Sequence, residues 1–325
     1  MLNAVTPSEK VFAGVTKFAS GADIATANLE IPLTKSTSAT PRKTPAELKA
    51  KKQFILKADP RHASWIAKAG FDLVGLGNNH AMDYGQKGLD EMTAVLDKQS
   101  VAWCGAGDDS ETASSSKIVT LKSGVKVAFV SFLAFITERA LWKCTYSTPD
   151  TAGVSTLLHL ESIVEQTKPK AKGDPILRAT KAIVRKAREQ ADVVVVWLHW
   201  GTERKTVPDP YQVKLGRAFV EAGADCVLGA HPHVLQGAEI YAGRPIFYSL
   251  GNLVSPLPAS TALFKLSFAG NTFKSVEMLP CDISAGKIVP VAKAKMAMRQ
   301  KTFNSLSATA VKKFKHSKSV ALTVD

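Results

Sequence analysis

The most regular feature of the chain is a helical pattern that is followed directly by an apolar strand. An amphipathic segment ends near Gly or Ala, an Asp follows, and a few apolar residues lead to polar ones. The pattern occurs at residues 18–30, 65–80, 184–201 and 219–233. Continuous apolar strands such as residues 193–198 are typical of a sheet that is covered on both faces. The repetition therefore predicts βαβ units around a mostly parallel sheet.

Further elements are predicted between these units. The strands lie at residues 125–132, 244–249, 263–268 and 273–279, and a helix lies at residues 86–97. The last two strands flank Gly270 and Asn271, which predicts a hairpin. Two segments, 35–52 and 147–175, are rich in turn-forming residues and Lys. This composition predicts loops above the sheet.

The bulk properties fit one soluble α/β domain. The chain has 325 residues, of which 45% are hydrophobic and 22% charged, so disorder is not expected for most of it. The longest strongly apolar run is far shorter than the ~20 residues that a membrane helix needs. The first residues carry no apolar signal segment. We place the domain at residues 1–295 and a basic C-terminal helix or tail at residues 296–325.

Charge and cysteine usage narrow the function classes. The formal net charge of +14 favours an anionic partner, although solvated basic faces and a basic tail are the simpler interpretation. The lysines are scattered, and no nucleic-acid-binding motif accompanies the basic run at residues 312–318, so no nucleic acid is expected. The four cysteines form no CxxC pair, which excludes a zinc ribbon and argues against a disulfide framework.

Residues of metal-ligand type follow four of the predicted strands. They are Asn28 and Glu30, then Asn78, Asn79, His80 and Asp83, then His199 and Glu203, and finally His231 and His233. In open parallel sheets, ligands bind beyond the carboxyl ends of the strands. Imidazole, carboxylate and carboxamide groups together suit Zn, Mn or Fe, and the lack of a thiolate argues against a structural zinc site. The pattern predicts a site for one or two divalent metal ions, in which two adjacent ions would suit phosphoester hydrolysis.

Several of these residues have a second interpretation. The pair Asn78-Asn79 is also a turn signal. Asp83 either orients His80 or caps the following helix. Glu203 either supports His199 or lies on a surface loop.

The HxH pair implies a particular backbone. In an extended segment alternate side chains point the same way, so His231 and His233 would face one site. Pro232 between them would fix the backbone and remove a competing donor.

Four strings in the sequence resemble the CapA family, also called the poly-γ-glutamate capsule synthesis domain. They are NLEIPLT, AGFDLVGLGNNHAMDYG, LHWGTE and GAHPHVLQGAEIYAGRPIFYSLGN, and they occur in this order. The resemblance runs from about residue 23 to about residue 291. That family is similar to the calcineurin-like metallophosphoesterases, so the resemblance implies a four-layer α/β/β/α core with a two-metal centre.

The resemblance also assigns roles to individual residues. It implies that Asn79, His199, His231 and His233 are metal ligands. Glu30 stands where a carboxylate bridges the metals, and Asn28 is the second choice for that position. His80 would protonate the leaving oxygen, and Asp83 would orient it. Asn78 and Glu203 are kept as alternatives or as supports for the ligands.

One departure from the family pattern concerns the beginning of the chain. Family members begin with a string like GD-x-ML, whereas this chain begins Met1-Leu2-Asn3. The resemblance then implies that the first core strand and its aspartate are missing from the chain as numbered. We expect at most one tightly bound metal and weak hydrolase activity on that basis. A membrane anchor or signal would lie upstream of Met1, so the localisation stays open.

The resemblance implies a role in the synthesis or processing of poly-γ-glutamate. The expected partners are an anionic polymer or a phosphoester substrate, together with membrane-associated proteins of capsule synthesis. Two alternatives stay open at this point. One is a non-catalytic subunit that binds the polymer or assists assembly on the same fold, and the other is a general phosphodiesterase.

Overall fold

A computed structural model of the chain describes residues 9–134, 145–157, 175–314, 318–319 and 322–323. The strands are β1 (Thr26–Asn28), β2 (Leu73–Gly75), β3 (Ala102–Cys104), β4 (Ala106–Gly107), β5 (Lys117–Thr120), β6 (Lys126–Leu133), β7 (Gly153–Val154), β8 (Val193–His199), β9 (Cys226–Ala230), β10 (Ala238–Tyr241), β11 (Arg244–Phe247), β12 (Ala259–Ala269), β13 (Thr272–Ser284), β14 (Lys287–Pro290), β15 (Lys318–Ser319) and β16 (Leu322–Thr323). The helices are a 3₁₀ turn (Glu9–Phe12), α1 (Thr16–Ala19), α2 (Pro45–Lys49), α3 (His62–Lys68), α4 (Gly85–Lys98), α5 (Ser110–Ser114), α6 (Pro175–Arg188), α7 (Pro210–Glu221) and α8 (Lys293–Phe314).

The strands are divided among several sheets, which makes the fold mixed α/β. The largest sheet has the order β15-β10-β11-β9-β8-β6-β5, and its centre is parallel while β5, β10 and β15 pair antiparallel. A separate parallel sheet has the order β1-β2-β3. A third sheet has the order β12-β13-β14, with β16 beside β13, and β4 pairs β7. The repeated pattern therefore found real strands but was wrong to place them in one sheet.

The composition of β8 explains why the largest sheet is buried on both faces. Its side chains alternate between two cores, and all of them are buried. Val194, Val196 and Leu198 pack with residues of α6 and α7. Val195 and Trp197 lie on the other face, in a core that includes residues of β2, β12 and β13. A strand between two apolar layers has no polar face, as its continuous apolar sequence predicted.

The three-stranded sheet is covered on its far side by helices. Ile66 of α3 and Leu89, Met92 and Leu96 of α4 are buried in one core with Val74 of β2. The helix predicted at residues 86–97 is α4, so that prediction is confirmed within one residue at each end. The carboxyl ends of β1 and β2 are held in place by this packing.

Other predicted elements have mixed outcomes. The hairpin is confirmed as β12 and β13, which are longer than predicted because their pairing extends out to Ala259 and Ile283. The segment 35–52 is loop except for the short helix α2. Residues 1–8, Cys144, residues 158–174 and residues 315–317 lie outside the described residues, as do the expectations that concern them. Within the described ranges, no helix is both long enough and apolar enough to cross a membrane.

The C-terminal helix α8 packs against the largest sheet and the hairpin. The Phe303 ring centre is 4.9 Å from that of Phe264 and 6.3 Å from that of Phe247. Ser307 Oγ accepts a hydrogen bond of 3.0 Å from the Ala238 backbone N–H. The boundary predicted at residue 295 falls inside this helix, and the division of the chain there stays a prediction.

The packing of α8 leads to a stability prediction. Phe303 is 1% exposed, so we expect Phe303→Ala to lower the free energy of unfolding by about 3–5 kcal/mol through the cavity that it leaves. Met298, on the same helix, is 56% exposed, and Met298→Ala serves as the matched control with a change below about 0.5 kcal/mol. Urea unfolding measures both. Equal, small effects would show that residues 296–325 behave as a loosely attached tail.

Candidate metal centre

Residues that follow strands of two different sheets meet at one place. They are Glu30 after β1, His80 after β2, His199 at the end of β8, and His231 and His233 after β9. The first two strands belong to the three-stranded sheet, and the last two belong to the largest sheet. The carboxyl ends of both sheets therefore contribute to the site.

Glu30 lies at the centre of this group. Its Oε1 is 3.4 Å from His199 Nε2 and 3.8 Å from His233 Nε2. One ligand atom from each of Glu30, His231 and His233 lies within 4.8 Å of the others. The ring centres of His199 and His231 are 4.9 Å apart. The structure thus brings together four of the five predicted metal ligands, while their binding of metal stays a prediction.

The fifth predicted ligand, Asn79, follows β2 on the neighbouring loop. Its side-chain Oδ1 is buried and has no hydrogen-bond partner among the described residues. Its backbone carbonyl accepts a hydrogen bond of 3.3 Å from Lys43 Nζ. Buried acceptors are nearly always paired, so this oxygen is suited to a ligand that the protein alone does not supply.

The backbone of the HxH pair differs from the prediction. His231 and His233 have φ values of +98° and +59°, so the segment is bent in the left-handed region and is not extended. Side chains other than glycine rarely adopt such values, and strain of this kind concentrates at functional sites. The two ring centres are still only 5.9 Å apart. The bend, and not strand alternation, brings both imidazoles to the site.

Asn252 orients one of these imidazoles and was missed in the sequence. His233 Nδ1 and Asn252 Oδ1 are 2.9 Å apart. If Nδ1 is the donor of this bond, the lone pair for a metal lies on Nε2, the atom that faces Glu30. The signal was available, because Asn252 is the last residue of the string GAHPHVLQGAEIYAGRPIFYSLGN.

The electrostatics of the group suit a cation. Burial raises the pKa of Glu30, but attraction to His199, the hydrogen bond with it, and attraction to His233 and His80 outweigh burial, so the pKa lies well below its usual range. Burial, together with repulsion from His199, lowers the pKa of His231 to about 3. Burial also lowers the pKa of His199, against the attraction of Glu30.

At neutral pH Glu30 is therefore an ionised carboxylate beside the neutral imidazoles of His199 and His231. That is the protonation state in which these side chains bind metal. The donor set consists of carboxylate oxygen and imidazole nitrogen, and the choice among Zn, Mn and Fe stays a prediction. The residues present thus fit one divalent ion.

His80 lies in a buried cluster of charged groups beside this centre. Its Nδ1 is 2.8 Å from Asp83 Oδ2 and 3.2 Å from Lys43 Nζ. Asp83 also contacts Lys43 and accepts a hydrogen bond of 2.7 Å from the Leu56 backbone N–H. Helix α4 is capped by Tyr84 with no side-chain cap bond, so the interpretation of Asp83 as a helix cap is wrong. Asp83 holds His80 in orientation.

Lys43 was missed because it falls in the segment predicted to be a surface loop. Its side chain is only 1% exposed. It donates a hydrogen bond of 2.9 Å to the Phe54 carbonyl in addition to its contacts with His80 and Asp83. Nothing in its sequence neighbourhood distinguishes it from the exposed lysines of the same loop.

The two remaining asparagines position the loops of the site. The Asn78 side chain donates to Asn28 Oδ1 and the Leu29 carbonyl, and accepts from the His80 and Ala81 backbone N–H groups. Asn28 in turn donates to Glu30 Oε2 at 3.4 Å. The turn interpretation of Asn78 therefore holds, and both residues support their neighbours. Glu203 is exposed, as the surface-loop interpretation expects.

A cavity of about 710 Å³ opens from this centre into the space between the sheets. Glu30, His231, His233 and Asn252 line it where β8 and β9 end. Farther in, its lining is mostly apolar and includes Val193, at the start of β8. The centre thus lies at one end of a long apolar space.

Comparison with known proteins finds one matching family model and several relatives. The family model described as bacterial capsule synthesis protein PGA_cap matches residues 3–257. The capsule biosynthesis protein CapA of Bacillus anthracis is 29% identical over 291 residues, which is 88% of this chain and 64% of that protein. The PGA biosynthesis protein CapA of Bacillus subtilis (strain 168) is 30% identical over 257 residues, 78% of this chain and 61% of that protein.

A more distant relative has a different description. A probable polyglutamine synthesis accessory protein of Mycobacterium tuberculosis (strain CDC 1551 / Oshkosh) is 24% identical over 232 residues, 71% of this chain and 55% of that protein. The chain spans somewhat less than two thirds of the length of these relatives.

The geometry leads to a prediction for metal binding. The described cluster has Glu30 as its carboxylate, so we expect one Zn²⁺ per chain and at least about a 100-fold loss of affinity in Glu30→Gln. Glu203→Gln is the matched control, because Glu203 is exposed. Isothermal titration calorimetry measures stoichiometry and affinity. Binding in Glu30→Gln that equals binding in the control would contradict the assignment.

The lowered pKa of His231 predicts how stability depends on pH in the metal-free protein. Unfolded histidine takes up a proton below about pH 6.5, whereas His231 stays neutral in the folded state down to about pH 3, so stability falls as pH falls through this window. Between pH 7 and pH 5 this residue should contribute about 2 kcal/mol of that loss. In His231→Gln the free energy of unfolding, measured with urea, should fall by that much less between pH 7 and pH 5. A pH profile of His231→Gln that is identical to that of the unchanged chain would contradict the lowered pKa of His231.

Proposed function

This chain belongs to the bacterial capsule synthesis protein family PGA_cap, and from that membership and the geometry of the centre we propose a CapA-like protein of poly-γ-glutamate synthesis or processing with a divalent-metal hydrolase site. The observation that carries the proposal is the cluster of Glu30, His231 and His233, whose ligand atoms lie within 4.8 Å of one another. The family lies in the metallophosphoesterase-like superfamily.

The packing supports the finer proposal of a four-layer α/β/β/α sandwich. Helices α6 and α7 pack on one face of the largest sheet. The other face packs on strands of the three-stranded sheet and the hairpin. Helices α3 and α4 cover the far side of the three-stranded sheet. This order would place the candidate centre where the two inner layers end.

The chain's own residues would divide the work of hydrolysis. Glu30, His199, His231 and His233, with Asn79, would hold the divalent ion, which when bound supplies a Lewis acid and a water of lowered pKa. Asp83 Oδ2 faces His80 Nδ1, which leaves Nε2 for the substrate. With both ring nitrogens protonated, His80 would give the Nε2 proton to the leaving oxygen and remain as the neutral imidazole. Lys43 balances the buried charge of Asp83 and fixes both side chains.

A basic loop next to this site supports an anionic polymer as the substrate. Lys49, Lys51 and Lys52 are exposed at and after α2. The same loop is tied to the site because Lys43 contacts His80. Lysines around the mouth of a site attract polyanions by forces that salt screens.

The first test of this proposal is an activity measurement. We expect the metal-loaded chain to cleave poly-γ-glutamate or bis(p-nitrophenyl) phosphate, and His80→Asn to lower kcat about 10²–10⁴-fold without loss of bound metal. His62→Gln is the matched control, because His62 lies in α3, which carries none of the candidate site residues. Metal binding and polymer binding without any hydrolysis would favour the non-catalytic subunit. Cleavage of the phosphodiester alone would favour a general phosphodiesterase.

The second test concerns the polymer. We expect poly-γ-glutamate affinity to fall about 10-fold or more between 50 and 500 mM NaCl, because exposed charges are screened over this range. A Lys49, Lys51 and Lys52 to Gln variant should bind more weakly at low salt. The matched control replaces the exposed basic residues Lys181, Arg185 and Lys186 of α6, on the far side of the largest sheet, by Gln. Fluorescence anisotropy measures binding, and equal losses in both variants would show that the attraction is not local to the site.

A further inference from the structure

A loop beside the candidate centre begins and ends on the same residue. The Thr40 N–H donates a hydrogen bond of 2.8 Å to the Asp83 carbonyl, and the Leu56 N–H donates one of 2.7 Å to Asp83 Oδ2. The residues between these two contacts, 41–55, form a loop of the Ω type, in which the two ends lie close together. We call residues 41–55 the flap. Asp83 also contacts His80, so the base of the flap lies beside the candidate proton donor.

The flap places a charged side chain in the interior of the protein. Every residue of the flap is described, and Lys43 is the one among them that is buried. Its Nζ donates hydrogen bonds to the Phe54 carbonyl at 2.9 Å and to the Asn79 carbonyl at 3.3 Å, and it contacts Asp83 Oδ1. Because none of the apolar side chains of the flap is buried, its local stability depends on these polar contacts.

The number of available hydrogens assigns the proton between Lys43 and His80. An ammonium group has three N–H donors, and oxygens of Phe54, Asn79 and Asp83 take all three. None is left for His80 Nδ1, which lies 3.2 Å from Lys43 Nζ. His80 Nδ1 therefore carries its own hydrogen and donates it to Asp83 Oδ2 at 2.8 Å. The orientation of His80 thus depends on Asp83, which the flap holds through Lys43.

We propose that Lys43 is a positioning residue and that His80 is oriented only while the flap is closed. Opening of the flap withdraws Lys43 from Asp83 and removes the Leu56 N–H from the same carboxylate. A buried carboxylate that loses its cation is strongly destabilised, so Asp83 rearranges and releases His80. The role of His80 in proton transfer rests on the proposed function, whereas the link between the flap and the imidazole rests on the contacts alone.

Hydrogen exchange of the zinc-loaded full chain tests this link without an assay of activity. NMR follows three protons, which are the Thr40 N–H, the Leu56 N–H and the His80 Nδ1–H, the last assigned by its absence in His80→Asn. Thr44→Ala removes the N-cap bond of α2 inside the flap, and a helix of five residues is not stable apart from its packing. We expect the three exchange rates to rise together by about 5-fold, because loss of a Thr cap favours opening by about this factor.

The matched control removes a similar bond from another short helix. Thr112→Ala breaks the capping box of α5, which also has five residues and lies between β4 and β5. It should leave the three rates within about 2-fold, because exchange reports local opening. A rise at Thr40 and Leu56 without one at His80 Nδ1 would overturn the proposal. Unchanged rates in Thr44→Ala, or an equal rise in the control, would overturn it as well.

Lys43→Met tests the consequence for catalysis, because it removes the ammonium group and keeps an unbranched side chain. Loss of one partner of a buried ion pair should raise the three exchange rates by at least about 100-fold. With bis(p-nitrophenyl) phosphate we expect kcat to fall about 100-fold, while KM and the amount of bound zinc stay unchanged. An unchanged kcat, or a loss of bound zinc that equals the loss of kcat, would overturn the positioning role.

Two further results keep this proposal separate from the proposed function. If Lys43→Met does not fold, the exchange rates of Thr44→Ala decide the proposal alone. If the unchanged chain hydrolyses neither bis(p-nitrophenyl) phosphate nor poly-γ-glutamate, the proposed function is wrong. The exchange rates would then still decide whether closure of the flap orients His80.

Discussion

The contact between Glu30 and His199 joins two sheets that also pack through apolar side chains and through the hydrogen bond from Trp197 Nε1 to Thr26 Oγ1. Glu30 follows β1 of the three-stranded sheet, and His199 ends β8 of the largest sheet. Their separation of 3.4 Å is a charge-assisted contact in a buried place, where such attraction is strong. The Glu30 carboxylate stays ionised because imidazoles surround it, and burial lowers the pKa of His199 and of His231. The candidate centre depends on this balance.

A second set of contacts keeps the centre in shape without taking part in it. Asn28 and Asn78 link the loops after β1 and β2, and Asn252 fixes the ring of His233. The left-handed backbone at His233 is tolerated because these neighbours and the packing of β9 determine it. Lys43 does the same for Asp83 from a loop whose other lysines are exposed. Charges on that loop are thus of two kinds, one buried and orienting and the others exposed to solvent.

Much of this arrangement follows from local sequence, and some of it does not. The strand β8 was predictable because an uninterrupted apolar run has one stable environment, and the ligand-type residues were predictable because they follow such strands. The division of the strands into separate sheets was not, since pairing depends on contacts far apart in the chain. Lys43 is 37 residues from His80, and no local pattern connects them. The bend at His231 also departs from the extended backbone that its HxH spacing suggested.

The central claim is that side chains from two sheets share one divalent ion. Crystals of the chain grown with Zn²⁺, with anomalous data collected on both sides of the zinc absorption edge, test it directly. The account predicts one strong anomalous peak within about 2.0–2.2 Å of Glu30 Oε1 and of a nitrogen of both His231 and His233. Peaks only at surface carboxylates, with the Glu30 cluster empty at saturating zinc, would contradict it.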